Sequence, residues 1–369
     1  MRTGLLLLGF SVVVSHALPL GPQTRPTDAS AAPTLTFRPV SLNDSPNMIG
    51  GEALRLLIPA NWQFDGEIVW RNNPAYPAAV KARTFNPKGV EEIGVMPNLL
   101  FYWNPYVTLY FPIGGTYLGN EVRRPVLEPI AALRTFVLPR YWPNLRDARV
   151  VAQQDLPELA ALGPLKYPDL KQTGRFRAGK LRLEYFERGV PVEQDVYCLT
   201  VAFDSQVNGT ISTFWGIDEI RYSKAPKGKL DEQYKLMETI GCSTKLNLRW
   251  FARYQQLTQI LMQNEMNASN RAVELSRYLA RTNDHITSTI RQAYENHEAA
   301  MDRINERFDT YIRGVEDYRN PSSDSVVQLP SGYTEAWTNS NGEYLLSNDV
   351  NFNPNLKSNQ GWQRLPKQR

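Results

Sequence analysis

The stretch from Ser243 to Tyr318 constrains this chain more than any other. It contains no proline and a single glycine, Gly314. Apolar residues recur through it at helical spacing: Leu257, Leu261, Leu275, Leu279, Ile286, Ile290, Ile304, Phe308, Ile312 and Val315. Residues three and four apart share one helix face, so the pattern predicts a long α-helix over residues 243–318. At 1.5 Å per residue such a helix is about 105 Å long. One set of apolar positions lines up at every eleventh residue: Leu257, Ala268, Leu279, Ile290, Met301 and Ile312. A second row holds Leu275, Ile286, His297 and Phe308, and a third holds Ala293, Ile304 and Val315. Such a period gives a nearly straight rod rather than a left-handed supercoil. A continuous helix and a helical hairpin broken near Thr282 to His285 are both open readings. Trp250, Phe251 and Tyr254 at its start are expected to dock it onto the preceding domain.

That preceding domain is too small to cover the rod. A unit of about 190 residues has a radius of gyration of about 16 Å. Leu257, Leu275, Leu279, Ile286, Ile290, Met301, Ile304, Phe308 and Ile312 therefore form a candidate association stripe, for a protein partner or a further copy of the chain.

Residues 50–242 read as one α/β sandwich domain built on an antiparallel sheet. Strand patterns run over Ala53 to Pro59, Glu67 to Arg71, Val80 to Phe85, Leu99 to Phe111, Ala148 to Gln153, Phe176 to Phe186, Val190 to Phe203 and Ile211 to Tyr222. Alternation is clear where Leu181, Leu183 and Tyr185 interleave with Lys180, Arg182 and Glu184. Glu187-Arg188-Gly189 and Asn208-Gly209 carry hairpin-turn chemistry. Pro125 to Leu138 and Leu230 to Ile240 have helical spacing. Short connections between successive strands predict antiparallel pairing. Residues 319–369 read as a small β-hairpin tail, with Asn339-Ser340-Asn341-Gly342 as its turn. Tyr333, Trp337, Tyr344 and Trp362 are expected to pack on the rest of the molecule, because so short a piece cannot bury a core alone. The fold class expected is thus α+β: sandwich, long helix or helical hairpin, β-hairpin tail.

The N-terminus has the pattern of an export signal. Arg2 supplies the charge, Leu5 to Val14 the apolar run, and Ser15-His16-Ala17 a cleavage site after Ala17. That run is too short to span a bilayer, and no later segment is apolar enough to cross one. Residues 18–49, rich in Pro, Ala, Ser and Thr, read as a flexible linker. The expected location is the secreted or periplasmic space. There Cys198 and Cys242 are free to form a disulfide or to remain two separate thiols.

A strand ending in Pro59-Ala60-Asn61-Trp62, followed by meandering strands, a middle helix and a closing helix, resembles the PsbP-like α/β sandwich. The tail pattern LPSGY, AW, NGEYLLS and NPN, from Leu329 to Asn355, resembles that of uncharacterised exported bacterial proteins. The PsbP-like resemblance implies partner binding or assembly rather than catalysis. Neither carries a functional residue to this chain.

Catalytic constellations are sparse. Of three histidines, His16 falls in the signal, and His285 and His297 fall in the long helical stretch. Twelve residues apart on a helix is about 18 Å of rise, too far to share a metal. No His-based triad, P-loop or dinucleotide fingerprint is present, and no cofactor or metal is expected. Gly114 to Gly119 reads as a turn between strands. The acidic pairs Glu91-Glu92 and Asp218-Glu219 are expected to point to opposite strand faces and into solvent. A net charge of +4, without a dense basic patch among aromatics, argues against nucleic-acid binding. The resulting expectation is an exported, non-enzymatic binding or scaffold protein. The competing class is a carboxylate-dependent hydrolase in the α/β domain, and a membrane-surface module ranks last because the arginines of the long helix are spread around it rather than gathered on one face.

Overall fold

A computed structural model describes residues 35–145, 147–207, 210–266, 315–321, 323, 325–356 and 358–367. Its first strands are β1 (Leu35–Asp44), β2 (Gly51–Pro59), β3 (Gln63–Trp70), β4 (Ala78–Phe85), β5 (Glu92–Val95) and β6 (Leu99–Trp103). Two short strands follow, β7 (Thr116–Tyr117) and β8 (Asn120–Val122), and then helix α1 (Pro129–Ala132). A π-helical turn over Leu133–Val137 joins α1 to α2 (Leu138–Tyr141). Next come β9 (Arg149–Asp155), α3 (Pro157–Ala160), α4 (Gly163–Lys166), β10 (Arg175–Glu187), β11 (Val190–Val207) and β12 (Thr210–Pro226). The chain continues through α5 (Tyr234–Cys242), β13 (Lys245–Leu246), α6 (Leu248–Met266), β14 (Val315–Asn320) and β15 (Ser325–Pro330). It closes with β16 (Glu335–Thr338), β17 (Tyr344–Ser347) and β18 (Gln363–Arg364).

The fold is mainly β, not an α+β arrangement dominated by a long helix. A ten-stranded sheet has the path β3-β4-β5-β12-β11-β10-β9, with β6, β7 and β8 branching beside β12. A six-stranded sheet runs β13-β2-β1-β17-β16-β18, and β14 pairs with β15. The expected helix over residues 243–318 fails at both ends. Lys245 and Leu246 pair with Arg55 and Leu54 of β2. Asn247 then accepts bonds from the Arg249 and Trp250 backbone N–H groups at 3.0 and 3.4 Å, starting α6 only there. At the far end Val315 to Asn320 is a strand, paired from Val315↔Pro330 to Asn320↔Ser325. Val315 fits the helical spacing and the strand alternation alike, which is why the helical pattern ran on into β14. No long helix occurs among the described residues.

Of the candidate stripe, Leu257 lies on α6, half-buried. Leu275, Leu279, Ile286, Ile290, Met301, Ile304, Phe308 and Ile312 lie outside the described residues, as do both C-terminal histidines and the signal sequence. The docking expectation holds. Trp250, Phe251 and Tyr254 are buried against Ala53, Ala78, Trp70 and Tyr76.

One further expectation needs correction, and one open reading is decided. Residues 35–44, inside the expected linker, form β1, which pairs with β2 along its length and with β17 at its start. Of the two readings open for the cysteines, the structure has separate thiols: Cys198 and Cys242 are both free. Cys198 is fully buried and its thiol donates to the Pro129 carbonyl at 3.6 Å.

The long hairpins form as their sequence requires. Arg188 (φ 50°) and Gly189 (φ 79°) make the two-residue turn between β10 and β11. One face of the large sheet packs Leu181, Leu183, Val196, Trp215 and Ile217 under the helical segment carrying Leu133 and Val137. Another hydrophobic cluster joins the two sheets, with Leu42, Leu54, Leu56 and Ile58 against Val80, Ala82 and Ile240.

Candidate functional site

Three features could carry function: a buried ion cluster on β12, a cleft beside the β10–β11 turn, and an exposed apolar tip beyond β6.

The ion cluster forms where β12 departs from regular pairing. Tyr197 faces Arg221 and Leu199 faces Asp218, so Glu219 and Ile220 together oppose Cys198 alone. Glu219 takes the left-handed conformation, φ 49°, an uncommon position for a non-glycine residue. The bulge turns both acids onto one lysine. Lys166, at the end of α4, lies 2.7 Å from Asp218 Oδ2 and also contacts Glu219 Oε1. Tyr167 OH donates to Asp218, and Arg221 Nε donates to Glu219 Oε2 at 2.7 Å. Sequence reasoning placed the two carboxylates on opposite faces in solvent; the bulge brings them together and buries them.

The electrostatics fix the protonation states. Burial alone would discharge Lys166, but the Asp218 and Glu219 carboxylates outweigh it and raise its pKa. Burial likewise opposes ionisation of Asp218, yet the Lys166 charge lowers its pKa. Burial and then Asp218 push the Tyr167 phenol well above its ordinary value. The cluster is therefore a zwitterionic lock, with a Lys166 ammonium that stays charged and an Asp218 carboxylate that stays ionised. It offers no deprotonated amine and no poised general acid.

The second feature is a cleft of ≈500 Å³ lined by Asp147, Arg149, Glu184, Tyr185, Phe186 and Lys227 among others. Two acids face it, as a hydrolase would require. Glu184, however, accepts from Lys227 Nζ at 2.9 Å and Arg149 at 2.8 Å. Those bonds, from Lys227 first and then Arg149, lower its pKa. A glycosidase-type general acid needs the opposite shift. Of the other expected acids, Glu92 is not solvated either: it accepts from Tyr222 OH and from Lys224 Nζ. Among the described residues no group of three His, Cys, Asp or Glu side chains could hold a metal ion.

The third feature is the tip. Residues 99–120 contain no charged residue, although charged residues make up 21% of the chain. Their inner side chains anchor the segment: Tyr102, Val107 and Val122 form a small core, with Phe111, Tyr117 and Phe214 packed on it. Tyr102 OH shares a 2.9 Å bond with Ser212 Oγ, and the Tyr110 and Phe111 N–H groups both donate to the Val107 carbonyl. The outer side chains face solvent. Tyr106 is 60% exposed, Leu109 73%, Tyr110 81% and Ile113 55%. Leu118 and Ile211 are exposed beside them, Ile211 standing two residues before Thr213, which pairs with Trp103.

The expected glycine turn forms at the base of this tip, where Leu118 and Gly119 connect β7 to β8. A Cβ on Gly119 would meet the Asn72 carbonyl oxygen at 2.2 Å. Leu118 itself has φ 47°, a strained conformation for a bulky residue that here is held in solvent. An arginine collar lies below. Arg123 donates to Glu121 at 2.6 Å, Arg140 to the same carboxylate at 2.7 Å, and Arg124 sits 5.2 Å over the Trp103 ring. The sequence signal for this site was legible as a charge-free aromatic run, but it read as one continuous strand. Asn104 and Pro105 end β6 instead, with Asn104 Oδ1 accepting from the Tyr106 N–H at 2.8 Å.

No protein-family model and no curated protein matches the chain.

Proposed function

We propose that the protein is an exported binding or scaffold protein of the cell envelope or secreted space, and that it docks through the tip formed by residues 104–118. One observation carries the reading. A rigid, charge-free loop holds Tyr106, Leu109, Tyr110 and Ile113 outward, each more than half exposed. Soluble surfaces seldom cluster large apolar side chains this way unless they bind something. The loop is already ordered by its buried underside, so docking costs little conformational entropy. The export pattern of residues 1–17 supports the location. Self-association through the apolar positions from Leu257 to Ile312 belongs to the same proposal as a second contact.

The competing hydrolase reading draws on the cleft with Asp147 and Glu184, and the pairing of Glu184 with two cations counts against it. The docking reading is tested by fractionating cells that express the full chain. The expected result is wild-type protein in the envelope pool and a Leu109→Ser/Tyr110→Ser/Ile113→Ser variant released to the soluble pool. Identical distribution of the two would overturn it.

A further inference from the structure

We infer that the surface on which the tip docks is an anionic lipid bilayer. The inference rests on the docking reading above and names its occupant. Among the described residues no helix is long and apolar enough to cross a membrane, so the contact would be peripheral.

The chemistry of the tip is graded along its height. Leu109, Tyr110 and Ile113 make its apolar end, three large hydrophobic side chains more than half exposed within five residues. Tyrosine, with an apolar ring and a polar hydroxyl, is the side chain that suits the boundary between acyl chains and headgroups. Next to the apolar end comes the collar of Arg123, Arg124 and Arg140, of which Arg123 and Arg140 share the single carboxylate of Glu121. Three positive charges against one negative leave this collar net positive. The Arg123 guanidinium lies under the loop, 3.3 Å from where a Cβ on Gly114 would stand. Arg124, exposed, spreads over Trp103. An uncharged apolar end with cations just behind it matches the layering of a bilayer, in which phosphates lie just outside the hydrocarbon.

The tip also presents several large apolar side chains to solvent at once. They lie on a segment anchored by the packing of Tyr102, Val107 and Phe111. A protein partner would need a complementary apolar pocket for each of them, whereas mobile lipids accommodate exposed apolar side chains in any arrangement. The strain at Leu118 fits the same account, because it keeps another apolar side chain facing outward at the base of the loop.

The test is co-sedimentation of the purified protein with two kinds of vesicle, phosphatidylcholine alone and phosphatidylcholine mixed with phosphatidylglycerol. The expected result is binding at least about fivefold stronger to the anionic vesicles, from about 1 kcal/mol for each arginine near the surface. Added salt should erase that preference. The Leu109→Ser/Tyr110→Ser/Ile113→Ser variant should bind neither vesicle. An Arg124→Gln/Arg140→Gln variant should bind both weakly and equally. These side chains are exposed, so thermal unfolding of the variants should match wild type, which separates lost binding from lost fold. Absence of sedimentation with anionic vesicles, or sedimentation unchanged in the tip variant, would overturn the inference. If vesicles fail while envelope retention still depends on the tip, the lipid assignment falls and the docking reading stands with a protein occupant. If both fail, both readings fall.

Discussion

Glu238 shows how one residue sets the pH response of this fold. It lies on α5, fully buried. Neither of its carboxyl oxygens has a hydrogen-bond partner among the described residues. Burial pushes its pKa up from 4.5 to about 7, against a smaller opposing pull from Lys235. A carboxyl group with a raised folded-state pKa binds more protons folded than unfolded between those two values. Stability therefore falls as pH rises through that window. The ceiling on the effect is about 3 kcal/mol at pH 8, from 1.36 kcal/mol per unit of difference. Asp218 has the opposite sign: its lowered pKa stabilises the fold above the ordinary carboxylate range, and that contribution is lost on acidification. Glu238→Gln keeps the size of the side chain and cannot ionise. Urea midpoints of wild type and variant should agree at about pH 4, below that window. At pH 8 the variant should be the more stable. Parallel pH profiles would show that this carboxyl group finds a compensating partner.

At the scale of elements, the bulge in β12 and the short helices α3 and α4 depend on each other. Lys166 is the only bond donor from α4 to Asp218 and Glu219 in the cluster described, and its side chain is only 13% exposed. Lys166→Met would leave two ionised groups buried side by side, which typically costs about 3–5 kcal/mol. Removing the ammonium also takes away the charge that lowers the Asp218 pKa. The lost stability should therefore return in part as pH is lowered from 7 to 5, since a proton can replace the lysine. Urea denaturation at both pH values measures this. A loss below about 1 kcal/mol at pH 7 would mean the cluster is solvated. This element also marks where sequence legibility ended. The β10–β11–β12 meander was readable because the side-chain alternation and the Arg188-Gly189 turn are local signals. The convergence of Asp218 and Glu219 was not, because the alternation rule assumes a regular strand. The extra residue is visible only in the register against β11. Strand β1 was hidden for a different reason: Pro39, Ser41 and Asn43 blur its period, and its partner β17 lies at the other end of the chain.

That pairing governs the molecule as a whole. The sequence divides into a domain, a helix and a tail, but the six-stranded sheet ignores those divisions. β1 and β2 come from the N-terminal part, and β16, β17 and β18 come from the tail. Phe37 and Leu57 share a core with Tyr318, Val327, Leu329, Ala336 and Leu346. Tyr344 and Trp362, expected to pack on another part of the molecule, are buried, and Tyr344 lies in that same core. The tail therefore covers apolar surface that β1 would otherwise present to water along an unpaired edge. A chain joined in this way should unfold as one unit over the described parts. Leu346 is the sharpest probe, being fully buried at the centre of β17. Leu346→Ala should cost about 2–5 kcal/mol through lost contacts and the cavity left behind. Because the core is shared, that cost should lower the transition of the entire protein. Near-ultraviolet circular dichroism should report the shift, since Trp62 and Trp215 lie in the sandwich, far from the substituted strand in sequence. An independent tail would behave differently: its own small transition would move and the signal from the sandwich tryptophans would stay in place. Two separated transitions in the variant, with the main one unmoved, would refute the single-unit account.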